Sequence, residues 1–375
     1  MRRAMAHEQT APAGPAGAGG EDARVALLER AEADLAHGDV VRATDGFERA
    51  AGMRHAADAE MGLVRSFMQA GDYRRALAFC AHVAGAHLDA PEAAALYAWL
   101  LRAGGQDAYA QRVLGMALER APQDPVLLAA RDAFASARPV AAGVLLQPPH
   151  RVAPQPVMAG GPPLVAPGAR VISSGVLVRG GAQALVPAAA LRGAPSKLWV
   201  RNGLGEGSRA FIDRTKQPLD PQGVTLLGLE APLRWPAMDA ASLREPFAGS
   251  PGFVLAYAES AAAEAAWPWL AAGFFGPMRG DGNARPLGIE LPAGRQGGPA
   301  LDAGGRLAGI VLSGADDSPV LLPVSRWKAL ASAEPATASA AEPPVDATQQ
   351  GPRIAPADKA YEDGLRLALQ IVASD

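Results

Sequence analysis

The side chains able to do nucleophilic or acid–base chemistry are unevenly placed along this chain of 375 residues. Its single cysteine is Cys80, and no histidine follows His150. A serine that attacks an acyl group needs a base within hydrogen-bond reach, and the second half of the chain has no imidazole for this role. A Ser–Lys dyad is conceivable, but no serine pairs in a recognisable motif with any of the candidate bases Lys197, Lys216 and Lys328.

The segment 22–137 carries the cysteine and four of the six histidines. Cys80 lies in an apolar helical run, which favours a buried small hydrophobe over a reactive thiol. His82 and His87 are five residues apart, a spacing that does not place two ligands on one helix face, and His37 and His55 lie on other segments. The sequence therefore predicts no metal site and no cofactor.

Charge and hydropathy exclude two kinds of partner. The formal net charge is −3 and no basic run occurs, so nucleic acid is not an expected partner. The most apolar stretch, residues 261–278, contains Glu264 and Pro268 and does not qualify as a membrane span. No apolar segment follows the N-terminal arginines. We expect a soluble, cytoplasmic protein, or a periplasmic one if the true start lies upstream.

The elements that position the first half repeat along the chain. Glycine-centred turns at Gly38, Gly71 and Gly105 are spaced 33 and 34 residues apart. Small and bulky residues return at fixed offsets from these turns, which suits two helices that pack closely and accept the next unit. The packing residues are Ala43, Phe47, Ala76, Ala110 and Ala117, with Pro122 ending the third unit.

This pattern resembles the tetratricopeptide repeat, whose period is about 34 residues. The resemblance covers residues 22–137 and implies stacked helical hairpins with a concave binding surface. A generic helical-hairpin bundle is the alternative, and it would offer the same kind of surface.

Linkers divide the rest of the chain. Residues 138–168 are rich in proline and predict a stiff linker, while residues 331–356 and the N-terminal residues 1–21 predict disorder. Between the linkers, residues 169–330 contain about eight short apolar runs separated by Gly/Pro turns. Such spacing is typical of an all-β barrel or sandwich.

The glycine-rich segment GRQGGPALDAGGRLAGIVLSG at residues 294–314 makes this prediction more specific. It resembles the nucleophile loop and following hairpin of trypsin-like serine proteases, where Gly-x-Ser-Gly-Gly-Pro precedes two strands. Gly294, Gly297, Gly298 and Pro299 match that loop, and Gln296 stands at the serine position.

Two further segments resemble the same family in the same chain order. The segment 174–193 resembles the strands that deliver the catalytic histidine, with Ala189 at the histidine position. The segment 223–233 resembles the strand that carries the catalytic aspartate, with Gly223 at that position. The order histidine, aspartate, serine is the one this family uses. The resemblance implies a trypsin-like double β-barrel whose three catalytic positions are replaced.

The expected fold class is therefore multidomain α + β, with helical repeats before an all-β double barrel. The tail, residues 357–375, resembles the short helix and first strand that usually open such barrels. It is expected either to return as a strand to the barrel edge or to form a free amphipathic helix. Tyr361, Leu365, Ala368 and Val372 would share one helical face.

The expected function is a non-catalytic scaffold that binds a protein or peptide. Packing of the barrels is reason enough for the glycine-rich loop, while backbone donors near Gly294 and Gln296 could hold a carboxylate or carbonyl, or a peptide by strand addition. The alternatives are an active serine hydrolase with an unconventional site and a structural component of an envelope or secretion system. The sequence does not define the oligomeric state.

Overall fold

A computed structural model describes residues 18–135, 165–193, 195–212, 222–235, 245–278, 284–292, 294–314, 316–331 and 356–374. Most of the three segments expected to be disordered or linkers (1–21, 138–168 and 331–356) lies outside the described residues. The first helix nevertheless begins at Ala18, within the N-terminal segment that the sequence predicted to be disordered.

Seven helices form the N-terminal array, and each packs against the next. Helix α1 also contacts α3, and α5 also contacts α7, so the helices stack in a tetratricopeptide-like manner. The bounds are α1 Ala18–Ala36, α2 Val40–Met53, α3 Ala57–Ala70, α4 Tyr73–Ala86, α5 Pro91–Ala103, α6 Asp107–Arg120 and α7 Pro125–Ala135.

The repeated glycines sit at the turns inside the hairpins. Gly71 has φ 89° and ends α3, where its N–H donates to the carbonyl of Met68, and a left-handed residue of this kind is how helices commonly stop. Gly38 and Gly105 are also left-handed. Five of the packing residues are buried between helices, namely Ala43, Phe47, Ala76, Ala110 and Ala117, whereas Pro122 lies exposed between α6 and α7.

Two closed antiparallel barrels of six strands each follow the array. In the first the strand order is β1-β12-β3-β4-β5-β2, and in the second it is β10-β11-β8-β7-β6-β9. The first barrel contains β1 Arg170–Val178, β2 Gln183–Pro187, β3 Lys197–Asn202, β4 Gly207–Ile212, β5 Val224–Leu229 and β12 Ala368–Ser374. The second contains β6 Pro251–Ala256, β7 Trp269–Phe275, β8 Arg285–Gly288, β9 Pro299–Asp302, β10 Leu307–Ser313 and β11 Pro319–Pro323.

Among the described residues, three short 3₁₀ turns and two further helices complete the fold. The 3₁₀ turns are Arg179–Gly181, Ala188–Leu191 and Val324–Arg326, and helix α8 is Lys328–Ala331. Helix α9 is Ala357–Leu367 and leads directly into β12.

The C-terminal segment closes the first barrel. Strand β12 lies between β1 and β3, where Ile371 pairs with Ser173 on one side and with Val200 on the other. Nearly every residue of β12 is buried. A barrel that lacks one strand has two free strand edges. The first barrel is therefore closed only when β12, from the C-terminus, pairs with strands that lie far from it in the sequence.

Helix α9 also joins the barrels to the helical array. Arg74 of α4 donates to the Glu362 carboxylate at 2.9 and 3.0 Å, and Arg366 donates to the carbonyl of Ala70 at 3.0 Å. One continuous apolar cluster runs from the array through α9 into the barrels. In the part of the chain that the structure describes, no helix combines the length and apolar character that crossing a bilayer requires.

Candidate binding site between the two barrels

A cavity of about 540 Å³ opens between the two barrels. The first barrel contributes the start of β1, the 3₁₀ turn after β2 and the end of β12, and the second contributes residues 259–261 and the glycine-rich loop. The polar residues that line the cavity are Arg170, Arg192, Glu259, Ser260 and Gln296.

The three positions that the sequence resemblance singled out come together beside this cavity. Ala189 and Gln296 both line it. Gly223 does not line it, but its carbonyl accepts a hydrogen bond at 2.9 Å from the N–H of Ala188, the neighbour of Ala189. Three separate segments therefore meet at one place in the fold, although the first and the last of these residues are more than 100 positions apart in the sequence.

The glycines of the loop are required by close packing. Gly297 has φ 87°, and a Cβ atom added there would lie 2.1 Å from the carbonyl oxygen of Ser174 in the first barrel. A Cβ atom at Gly298 would lie 1.9 Å from the carbonyl oxygen of Leu255. These distances exclude any side chain at either position without movement of the backbone. Pro299 is buried and begins β9.

Hydrogen bonds between the barrels hold the loop in place. The carbonyl of Gln296 accepts from the N–H of Ser174 at 3.0 Å and from the Ser173 hydroxyl at 3.2 Å. The Tyr257 N–H donates to the Ser174 hydroxyl at 2.8 Å. These three bonds connect β1 directly to the second barrel, so the position of Gln296 is fixed by both barrels.

Two backbone N–H groups of the loop have no hydrogen-bond partner among the described residues. Among the described residues, the N–H groups of Gly294 and Gln296 donate no hydrogen bond. Gln296 itself lines the cavity, and Gly294 lies beside Glu259, whose side chain would be 3.5 Å from a Cβ atom added at Gly294. Backbone N–H groups near a cavity can bind a carbonyl or a carboxylate oxygen.

The charges at the cavity favour an anion. Arg170 and Arg192 bring two guanidinium groups, and Glu259 brings one carboxylate. All three side chains belong to exposed residues, so their fields are screened by salt. No histidine, cysteine or lysine lines the cavity in the described part of the chain. Ser260 provides a hydroxyl, which accepts from the Ala262 N–H at 3.2 Å.

Next to Gln296, a buried arginine of the loop shares an aromatic ring with an arginine of the helical array. Arg295 is 4 % exposed and its guanidinium lies over the ring of Trp269 at 4.8 Å. Arg102 of α5 lies over the same ring at 5.0 Å and pairs with Asp107 at 3.1 Å. Burial, followed by repulsion from Arg102, lowers the pKa of Arg295 to about 10. Arg295 occupies the variable position of the loop motif, so no sequence signal indicated this contact.

The sequence analysis considered the histidines of the array one helix at a time and predicted no metal site. The structure brings His55, Glu60 and His87, from three different segments, into one cluster. This cluster is remote in sequence from the inter-barrel cavity.

The paired six-stranded barrels, with a cavity between them, have the trypsin-like double-barrel fold, placed behind a tetratricopeptide-like helical array. No protein-family model matches the chain, and no curated protein sequence matches it. Among solved structures, the protease domain of MamO from Magnetospirillum magneticum is similar, at 14% identity, with a TM-score of 0.33. That similarity covers 44% of this chain and 96% of the MamO domain. Deg5 is similar at 12% identity and a TM-score of 0.33, over 44% of this chain and 88% of Deg5.

Proposed function

We propose that this protein is a non-catalytic interaction protein that binds a peptide segment carrying a carboxylate in the cavity between its barrels. The observation that carries this proposal is that Ala189 and Gln296 line one cavity, with Gly223 one hydrogen bond away from Ala188. The sequence resemblance assigns the catalytic histidine, aspartate and serine of trypsin-like proteases to the positions of Ala189, Gly223 and Gln296.

The side chains at these positions support binding over catalysis. A methyl group at Ala189 cannot accept a proton, and the Gln296 amide is not a nucleophile at neutral pH. Ser260 and Glu259 line the cavity, but no hydrogen bond joins their side chains among the described residues. Loss of a single triad member from a serine protease lowers kcat by roughly 10⁴- to 10⁶-fold, so a cavity with none of the three would turn over slowly at most.

The chemistry of the cavity supports a carboxylate-bearing ligand. Two arginines outnumber the single Glu259. The N–H group of Gln296, which lines the cavity, has no partner among the described residues and could add an uncharged donor, as could that of the nearby Gly294. An arginine binds a carboxylate through two parallel hydrogen bonds. A free peptide C-terminus or an acidic side chain fits this set of donors.

Strand addition is a less suitable mode of binding. It needs an unpaired strand edge, and every named strand of the two closed barrels has a neighbour on each side. The ligand is therefore expected to be held by the cavity and its donors, and not by extension of either sheet.

A peptide library displayed with free C-termini, selected on the full chain, tests the proposal. Affinities of the enriched peptides would be measured by fluorescence polarisation. Ala189→Trp fills the cavity and Arg192→Glu reverses one of its charges, so each should weaken binding at least tenfold. Ala248→Trp and Arg209→Glu are the matched controls, because both residues are exposed and neither lines the cavity.

The outcomes separate clearly. Enriched peptides that lose affinity with the two cavity variants and keep it with the two controls would support the proposal. Failure to enrich any peptide, or equal affinities in all five proteins, would contradict the cavity site.

A further inference from the structure

The helical array contains a cluster of two imidazoles around one carboxylate. His55 lies in the connection between α2 and α3, Glu60 in the first turn of α3, and His87 directly after α4. The Nε2 atom of His55 is 2.8 Å from Glu60 Oε1, and the Nε2 atom of His87 is 3.0 Å from Glu60 Oε2. The two imidazole rings lie 4.9 Å apart.

The carboxylate of Glu60 is buried, and that burial needs compensation. Its side chain is 6 % exposed, and among the described residues its polar partners are the two histidines. A buried carboxylate is costly unless it is paired with positive charge or hydrogen bonded. A lone pair on Nε2 that faced a lone pair on a carboxylate oxygen would be repelled. Each Nε2 atom must therefore either donate a proton to the carboxylate or share a bound cation with the carboxylate.

The distances suit a cation. One ligand atom from each residue can be chosen so that all lie within 4.8 Å of one another. A zinc ion holds histidine nitrogen and carboxylate oxygen at about 2.0–2.2 Å in a tetrahedron, which places its ligand atoms roughly 3.3 Å apart. The two N–O separations are a few tenths of an ångström shorter than that. His55 is 63 % exposed, so its ring can move by this amount without disturbing the core.

We propose that His55, Glu60 and His87 form a zinc site with three protein ligands. The donor set of two imidazoles and one carboxylate matches the preferences of zinc, and the exposed side at His55 leaves the fourth position to water or to a ligand from a partner. His82 is the nearest further imidazole, with its ring 6.5 Å from that of His55.

The ion would join three successive segments of the array at one end. The cluster lies at the start of α3 and the end of α4, whereas Gly71 and the contacts with α9 lie at the opposite end of the same hairpin. Zinc would therefore tie the first repeat unit to the second without touching the interface with the barrels. Because the ion binds the folded array, it should stabilise the chain by mass action.

Isothermal titration of zinc sulfate into the untagged, chelator-treated full chain at pH 7.5 tests the site. We expect one zinc ion per chain and a higher thermal midpoint that a chelator reverses. His55→Ala and Glu60→Gln should each weaken zinc binding at least tenfold. His37→Ala is the matched control, since His37 is an exposed histidine of the same array whose Nδ1 atom contacts only the Ala33 carbonyl among described residues.

His55→Ala also guards against a folding defect, because an exposed side chain is not needed for the core, and circular dichroism would verify the fold of each variant. A second measurement is the visible spectrum of the cobalt-loaded chain, which is intense for four-coordinate and weak for six-coordinate cobalt. A four-coordinate spectrum that is lost in His55→Ala would support the site. Zinc binding that is equal in His55→Ala and His37→Ala, a six-coordinate spectrum, or no detectable binding would overturn it.

Discussion

The rings of Tyr73 in the helical array and Tyr361 in the C-terminal helix meet edge to face with their centroids 4.5 Å apart. Both side chains are fully buried, and each hydroxyl donates to a backbone carbonyl, that of Leu100 for Tyr73 and that of Pro268 for Tyr361, at 2.9 Å. The nearby Arg74–Glu362 ion pair is partly exposed and contributes about 1 kcal/mol at most. The buried aromatic contact is therefore the stronger link between array and barrels.

This contact predicts a specific dependence of stability on alkaline pH. Burial, together with the neighbouring Tyr73 and Tyr257, raises the pKa of Tyr361 well above its ordinary value. A group whose pKa is raised in the folded state contributes stability that is complete below the unfolded pKa, about 10 for tyrosine, and is lost as the pH rises further. Stability should therefore fall above pH 10 by about 1.4 kcal/mol per pH unit for each such tyrosine.

Tyr361→Phe removes one of these titrations. At pH 8 the variant should be less stable than the wild type by about 0.5–1.5 kcal/mol, because it loses one buried hydrogen bond. Urea denaturation at pH 8 and at pH 11 should show this difference shrink or reverse at the higher pH. The same difference in stability between the wild type and Tyr361→Phe at both pH values would contradict a raised pKa for Tyr361.

The C-terminal strand should be indispensable to the first barrel. Ile371 is fully buried, and its side chain packs against Gly175 of β1. Ile371→Ala should lower the free energy of unfolding by about 2–5 kcal/mol. Val41→Ala is a suitable comparison, because Val41 is 80 % exposed and its truncation should change stability by about 0.5 kcal/mol or less. Similar values for both variants in chemical denaturation would mean that β12 does not belong to the barrel core.

The glycine-rich loop should tolerate no side chain where the barrels meet. Gly297 and Gly193 both have positive φ, but a Cβ atom at Gly297 would collide with Ser174 whereas one at Gly193 would meet nothing within 4 Å. Gly193→Ala should cost only the backbone strain of about 1–2 kcal/mol. Gly297→Ala should cost several times more or prevent folding. Thermal denaturation measures the stability of both variants. Equal losses of stability in Gly193→Ala and Gly297→Ala would show that the barrels are not packed through this loop.

Cys80 should be inert in the folded protein. Its thiol is fully buried, and burial raises its pKa above the ordinary value. Because the thiolate is the reactive form, iodoacetamide at pH 8 should leave the native chain unmodified and should alkylate it once in urea. Mass spectrometry measures the number of alkyl groups added to the native chain and to the chain in urea. Rapid alkylation without denaturant would show that Cys80 is accessible.

The parts of the fold that could be predicted from the sequence are those with local sequence patterns. The 33- and 34-residue spacing of Gly38, Gly71 and Gly105 indicated the helical array, because a left-handed turn must recur once in every hairpin. The motif from Gly294 to Pro299 indicated the fold of the second half. Strands β4 and β7 were not among the apolar runs that predicted strands. The sequence of β4, GSRAFI, is short and begins with glycine, and β7 follows an alanine-rich run that resembles a helix.

Contacts between distant segments could not be read in the same way. The sequence left open whether residues 357–375 form a returning strand, because strand pairing across about 170 residues has no local signal. The cluster of His55, Glu60 and His87 escaped a search for ligands on one helix face, since the fold assembles it from three segments. Arg102 and Arg295 meet at Trp269 only because the array and the second barrel pack together.

The most direct test of the central claim is exposure of the purified full chain to a fluorophosphonate probe that labels active serine hydrolases, with trypsin as the positive control. Among the described residues, no imidazole lines the cavity beside a serine, so we expect no labelling after prolonged incubation at pH 8. Stoichiometric labelling that a single serine-to-alanine change abolishes would show that the chain is an active hydrolase, and would contradict the account.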